Sequence, residues 1–112
     1  MAEQLHSEDQ KLVTLARGAR ARIGSVAGAC VRDQDGRTYS GATVDLAGTE
    51  FTALQVAMAT AIGNGAGHFE AVCVLGLEPT ESETAVVMQY LMDSGKFFTC
   101  TKNGDVLSVN TK

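Results

Sequence analysis

Three cysteines, one internal histidine and the close acids Asp33 and Asp35 are side chains in this 112-residue sequence whose chemistry could reach beyond packing. A thiolate is a nucleophile and a soft-metal ligand. Cys30, Cys73 and Cys100, however, are odd in number, widely separated and each set in a β-like apolar run, with no C-x-x-C spacing. They read as reduced, buried thiols of a cytosolic protein. Cys73 and Cys100 are expected on neighbouring strands with their side chains facing opposite ways, which argues against a bridge. His68 is the one histidine inside the predicted fold, and so the one candidate general base or imidazole ligand. No cysteine, acid or serine stands at a spacing that forces proximity to it, so it reads as a loop imidazole. Asp33 and Asp35 could mimic a carboxylate pair, but acids are what a tight turn selects for local hydrogen bonding. Gly63-Asn64-Gly65-Ala66-Gly67 has the composition of a phosphate-cradling loop and the opposite polarity, because it leaves a helix and enters a strand.

The elements that must position these residues follow from periodicity and caps. Ser7 and Gln10 fit a capping box, and Leu12, Leu15, Ala16, Ala19 and Ile23 recur at helical spacing, which predicts a helix over 8–22. Two strands, 26–33 and 37–44, are joined across Asp33-Gln34-Asp35-Gly36. Thr49 can cap a second helix over 50–62 that Gly63 ends. Residues 69–77 are apolar at both parities and predict a strand buried on both faces. Thr80 and Glu83 form a capping box for a third helix over 81–93, stopped by Ser94-Gly95. KFFTCT and DVLSVN flank Asn103-Gly104, a strong hairpin signal. The order α-β-β-α-β-α-β-β predicts an α/β fold of three layers, a five-stranded mixed sheet with helices on its faces. Residues 1–112 read as one domain with a flexible start over 1–7.

Composition narrows the function classes. A net charge of −4 disfavours nucleic acid, since phosphate neutralisation needs a clustered basic surface. Lys11, Arg17, Arg20 and Arg22 lie on one predicted helix and read as a solvated face. The uncharged stretch from Phe51 to Phe69 is interrupted by polar residues and glycines, so no membrane span is expected. The start of the chain has no secretory pattern, and a cytoplasmic location is the expectation.

The residues themselves resemble the small, homotetrameric cytidine deaminase family from Glu8 to about Val109. EDQKLVTLARGAR is similar to that family's opening helix, and GACVRDQDGRTYSGATVD to its first hairpin, where a G-A-A-V strand, a D-G-R turn and a T-G-x-N-V-E segment recur. The resemblance implies C-A-E-R at the start of the second helix and P-C-x-x-C at the start of the third. Those residues hold zinc, which generates hydroxide, while the glutamate moves protons. In this sequence the four positions are Thr52, Leu54, Thr84 and Val87, so no catalytic residue, no metal ligand and no cofactor is expected. The substrate-binding pair of the T-G-x-N-V-E segment corresponds to Thr43 and Asp45, which remain the candidate ligand contacts, and Ser25 stands in place of a base-stacking phenylalanine. Gln55 and Met88 replace arginines and Gln89 is retained, which reads as repacking of a site that lost its metal partner.

One feature fits a monomer poorly. The third helix is apolar nearly all the way round, and Phe51, Val56 and Ala59 add apolar surface to the second outside its sheet-facing stripe. A homo-oligomer, dimer or tetramer, is the natural cover, with Phe51, Val56, Val86 and Tyr90 at the interface. The expected function is a non-catalytic interaction or structural module. The alternatives are a nucleoside or small-molecule binding protein using the vacated pocket, or a deaminase with relocated ligands that recruits His68 or Cys30.

Overall fold

Apolar residues at period two and period 3.6 alternate along the chain, and the elements they form pack as three layers. The computed structural model describes residues 5–112. Helix α1 (Ser7–Ile23) is followed by strands β1 (Gly28–Asp33) and β2 (Thr38–Ala42) and by a small ribbon of β3 (Val44–Leu46) and β4 (Thr49–Phe51). Helix α2 (Ala53–Gly63), strand β5 (Phe69–Leu75), helix α3 (Glu81–Tyr90) and strands β6 (Leu91–Cys100) and β7 (Val106–Thr111) complete it. The main sheet has the order β2-β1-β5-β6-β7. It is mixed, since β5 and β6 run parallel and the other pairs antiparallel. The α/β class, the five-stranded mixed sheet and the predicted order all hold, with one ribbon added.

Alternation in the central strands sorts the core to two sides. Cys30, Ala71, Cys73, Leu75, Phe98 and Cys100 meet Leu12, Val13 and Ala16 of α1. Ala29, Val31, Val72, Val74 and Phe97 meet Leu54, Ala57, Met58 and Ala61 of α2 and Val87 of α3. Two helices press so close to the sheet that no side chain fits beneath them. A Cβ on Gly28 would meet the Ala16 carbonyl oxygen at 2.1 Å, and one on Gly41 the Ala57 nitrogen at 2.8 Å.

Several boundaries differ from the sequence expectations, each for a local reason. Residues 1–4 of the segment read as flexible lie outside the described residues, and Ser7 already belongs to α1. The Ser7–Gln10 capping box is not formed: His6 is the N-cap without a side-chain bond, and the Gln10 N–H donates to the His6 carbonyl. Thr49 caps nothing, because it pairs with Leu46 across the ribbon. The second helix starts after Thr52, whose side chain and Gln55 form the capping box. Asn64, not Gly63, is its C-cap. The ribbon turns at Ala47-Gly48, both left-handed at φ 51° and 92°, the geometry of a two-residue hairpin, and Ala-Gly lacks the Asn-Gly signature that would have announced it.

The third helix is the other main correction. It ends at Tyr90 rather than 93, and Ser94-Gly95 is no stop but an irregularity within β6, with Ser94 at φ 68° and the β5–β6 register shifting between Phe69 and Ala71. The buried strand ends at Leu75, not 77, before Gly76 at φ 95°. The two hairpin turns are as expected. Asp33 accepts from the Asp35 and Arg37 N–H groups at 2.9 and 3.0 Å, and the Gly104 N–H donates to Thr101 O at 2.9 Å.

Candidate functional site

The starts of α2 and α3 converge on one cavity of about 220 Å³. Both ends are closed by their own side chains. Thr52 Oγ1 accepts from the Gln55 N–H at 3.1 Å, and Gln55 Oε1 accepts from the Thr52 N–H at 2.9 Å. At α3 the Glu83 N–H donates to Thr80 Oγ1 at 3.1 Å, and the Thr80 N–H to Glu83 Oε1 at 3.0 Å. The Ala53 N–H donates to Thr43 Oγ1 at 3.3 Å. The donors that would greet an anion at these helix starts are thus engaged in part before any ligand arrives.

The four positions matched to the catalytic pattern are only partly brought together. Thr52 and Leu54 line the cavity; Thr84 and Val87 are not among its walls. Leu54 and Val87, 1% and 0% exposed, lie instead in the same buried apolar cluster, and half-buried Thr84 sits in the first turn of α3. A zinc ion needs thiolate, imidazole or carboxylate donors. Here the Thr52 hydroxyl is engaged as a cap, and leucine and valine offer hydrocarbon, so these residues do not fit the metal.

Thr43 lines the cavity and is held at both ends: its carbonyl accepts from Ser25 Oγ at 2.8 Å, and its hydroxyl accepts from Ala53. Asp45 is not a cavity residue. Its Oδ1 accepts from the Gly48 N–H at 2.7 Å, closing the ribbon turn, and it faces solvent opposite Glu50. The cavity has residues that sequence reasoning missed, namely Val26, Glu50, Leu77, Glu78 and Pro79, with Glu83, read in sequence only as a cap. Glu50 was missed because it lies on the unannounced ribbon. No sequence signal connects Glu78 with it, since only the fold brings β4 beside the β5–α3 loop.

Among the proposed interface residues, Phe51 and Val86 are exposed, at 38% and 42%. Val56 is half-buried, and half-buried Tyr90 stacks on Phe69 with ring centroids 5.2 Å apart. Met88 is half-buried against the core, and exposed Gln89 offers its carbonyl to Lys112 Nζ at 3.4 Å. Lys11, Arg17 and Arg22 are exposed and Arg20 is half-buried.

The sulfur chemistry lies on the other side of the sheet. Cys73 and Cys100 do not face opposite ways: both point toward α1, with their sulfurs 4.0 Å apart. They pair with Phe98 and Leu75 respectively, so they occupy diagonal positions of like parity on parallel strands. All three thiols are free and buried. Burial pushes Cys30 up from 9.0 to about 12, and the neighbouring Cys100 together with burial holds Cys73 high as well. His68 is exposed beside Gln89, Met92, Asp93 and Lys112, away from the cysteine cluster. Among the described residues no three His, Cys, Asp or Glu side chains are grouped to hold a metal ion. No helix among them is long and apolar enough to cross a membrane.

Comparison with known proteins places the fold. The cytidine deaminase from Burkholderia pseudomallei superposes with a TM-score of 0.77 at 23% identity, over 96% of this chain and 93% of that one. The cytidine deaminase from Mycobacterium leprae gives 0.70 at 23% identity, over 96% and 94%. That from Mycobacterium tuberculosis gives 0.67 at 19%, over 84% and 85%. Among curated proteins none matches. The model of the cytidine deaminase-like family matches residues 5–104, nearly the whole chain, and the chain therefore belongs to the cytidine deaminase-like family.

Proposed function

We propose that this protein is a member of its family without deaminase chemistry, serving as a homo-oligomeric interaction or structural module. The observation that carries the reading is Leu54 at 1% exposure, a hydrocarbon packed into the core at the position matched to the proton-transferring glutamate. Leucine exchanges no proton. Val87, with no lone pair to offer, is buried in the same cluster, and Thr52 is held as a helix cap. A side chain with the wrong chemistry at one position could be compensated; the same loss at every matched position leaves no route to an activated water.

The oligomeric part rests on surface. Phe51, Val86, Ile62 and Met92 expose apolar side chains on or beside α2 and α3, and α3 has a single buried residue, Val87. An apolar helix covered on one stripe calls for a second cover, and a closed symmetric assembly supplies it. A deaminase with relocated ligands finds less support. Cys30 is buried against α1 and His68 is exposed beyond that cluster, so the two candidate replacements do not converge.

The test is direct. Purified protein assayed for metal by mass spectrometry and for cytidine deamination by absorbance should hold substoichiometric zinc and produce no uridine. One equivalent of zinc with turnover would overturn the reading. Light scattering after size exclusion should give a multiple of the 11.7 kDa chain mass.

A further inference from the structure

The geometry points to the cavity at the α2 and α3 starts as a binding site for a small apolar molecule carrying a protonated amine. Its walls are hydrocarbon: Val26, Ala27, Leu54, Val74, Leu77 and Pro79. Val26 and Leu77 are 57% and 54% exposed, so the chain leaves apolar surface uncovered at the cavity itself. At about 220 Å³ the space is below the usual range for drug-sized ligands and suits a single ring with a short arm.

The charge around it has one sign. Glu50, Glu78 and Glu83 line the cavity, and no lysine, arginine or histidine does. Both ion pairs among the described residues belong to Arg32, so none of the three carboxylates is paired with a cation among those residues. Glu83 gives Oε1 to the Thr80 N–H and hydroxyl at 3.0 and 3.2 Å, which leaves Oε2 for a ligand. The neutral polar groups are partly engaged, because the hydroxyls of Thr43, Thr52 and Thr80 each already accept a helix-start N–H. An anion would meet three carboxylates. A polyhydroxylated neutral molecule would lose water bonds that these engaged hydroxyls replace poorly. An ammonium group beside the glutamates, with its hydrocarbon against Leu54 and Leu77, matches both halves of the site. The site goes beyond the non-catalytic module reading and does not depend on it.

The experiment titrates 15N-labelled protein with 2-phenylethylammonium, 2-phenylethanol and phenylacetate at pH 7 and low salt. The ammonium probe is expected to shift amides of Ala27, Leu54, Leu77 and Glu83, and to bind on the order of tenfold more tightly than the alcohol, since three partly exposed charge contacts each contribute little. Phenylacetate should bind weakest. The variant E50Q/E78Q/E83Q should erase the preference for the ammonium, so that the ammonium and the alcohol bind alike. Glutamine at position 83 keeps the capping box, so the variant should fold, and its dispersed spectrum checks that. Equal binding of ammonium and alcohol, preference for the carboxylate, shifts confined to residues outside the cavity, or no shifts at all would each overturn the assignment. None of these outcomes would restore zinc or turnover, so the two proposals fail separately.

Discussion

The two sides of the sheet are closed by opposite means. Toward α1, the buried charge of Arg32 is satisfied, while Arg20 Nε is buried with no hydrogen-bond partner among the described residues. Arg32, 8% exposed, donates to Asp9 Oδ1 at 2.9 Å, to Glu70 Oε1 at 2.7 Å and to the Glu8 carbonyl at 3.1 Å. Burial opposes its charge, but the hydrogen bonds to Asp9 and Glu70 outweigh that and raise its pKa. Toward α2 and α3 the closure is hydrocarbon, and it is incomplete, since α3 buries Val87 alone and leaves Val86 in solvent. The Arg32 ion pairs fasten that side from within the chain. A side that closes largely with hydrocarbon, sets Glu50, Glu78 and Glu83 around its cavity and still exposes apolar surface is prepared for another molecule.

The largest expected effect tests the hydrocarbon side. Leu54→Glu restores the acid of the family pattern but places it unpaired at 1% exposure. It should cost more than about 4 kcal/mol in urea unfolding and yield no deamination, because one carboxylate without ligands activates no water. Turnover in this single variant would show the site to be nearer to catalysis than its packing implies. Next comes the paired side: Arg32→Ala leaves Asp9 buried without its cation and should cost about 3 kcal/mol. A loss below about 1 kcal/mol would mean the clamp is ornamental.

Third is pH. Burial pushes the Cys30 thiol from 9.0 up to about 12, so between those values this side chain ionises only in the unfolded chain. The stability associated with its neutral form is complete below pH 9 and falls as pH rises toward 12, by about 1.4 kcal/mol per pH unit within the window. Cys30→Ala should lessen that slope and leave the share of Cys73, which is also held high in the fold, and an unchanged slope would assign all of it to other groups. Fourth, Thr80→Ala removes the α3 cap and should cost about 1 kcal/mol by thermal unfolding. Smallest in stability is Val86→Lys, which on an exposed site should change monomer stability by less than about 0.5 kcal/mol yet shift the light-scattering mass downward. An unmoved mass would place any interface elsewhere.

Much of this was legible before the fold. The paired Thr80 and Glu83 announced α3, Asn103-Gly104 announced the last hairpin, and the apolar run around Cys73 announced a central strand, because each rests on chemistry within a few residues. The misses arose where distant partners decide. Thr49 has the right side chain for a cap, but pairing with Leu46 claimed its backbone. The facing of Cys73 and Cys100 depended on the β5–β6 register, which an irregularity near Ser94 resets and which no periodicity within either strand reveals. Of the cavity, the degenerate positions Thr52 and Leu54 were readable, whereas the glutamate rim was not, since Glu50 and Glu78 meet only through the folded topology.

Helix α3 passes into β6 with no intervening residue: Tyr90 ends one and Leu91 begins the other. The strand beyond the joint is irregular as far as Gly95, and its regular pairing with β5 and β7 runs from Lys96. Whatever grips the exposed side of the helix therefore acts within a few residues of a strand paired with β5 and β7.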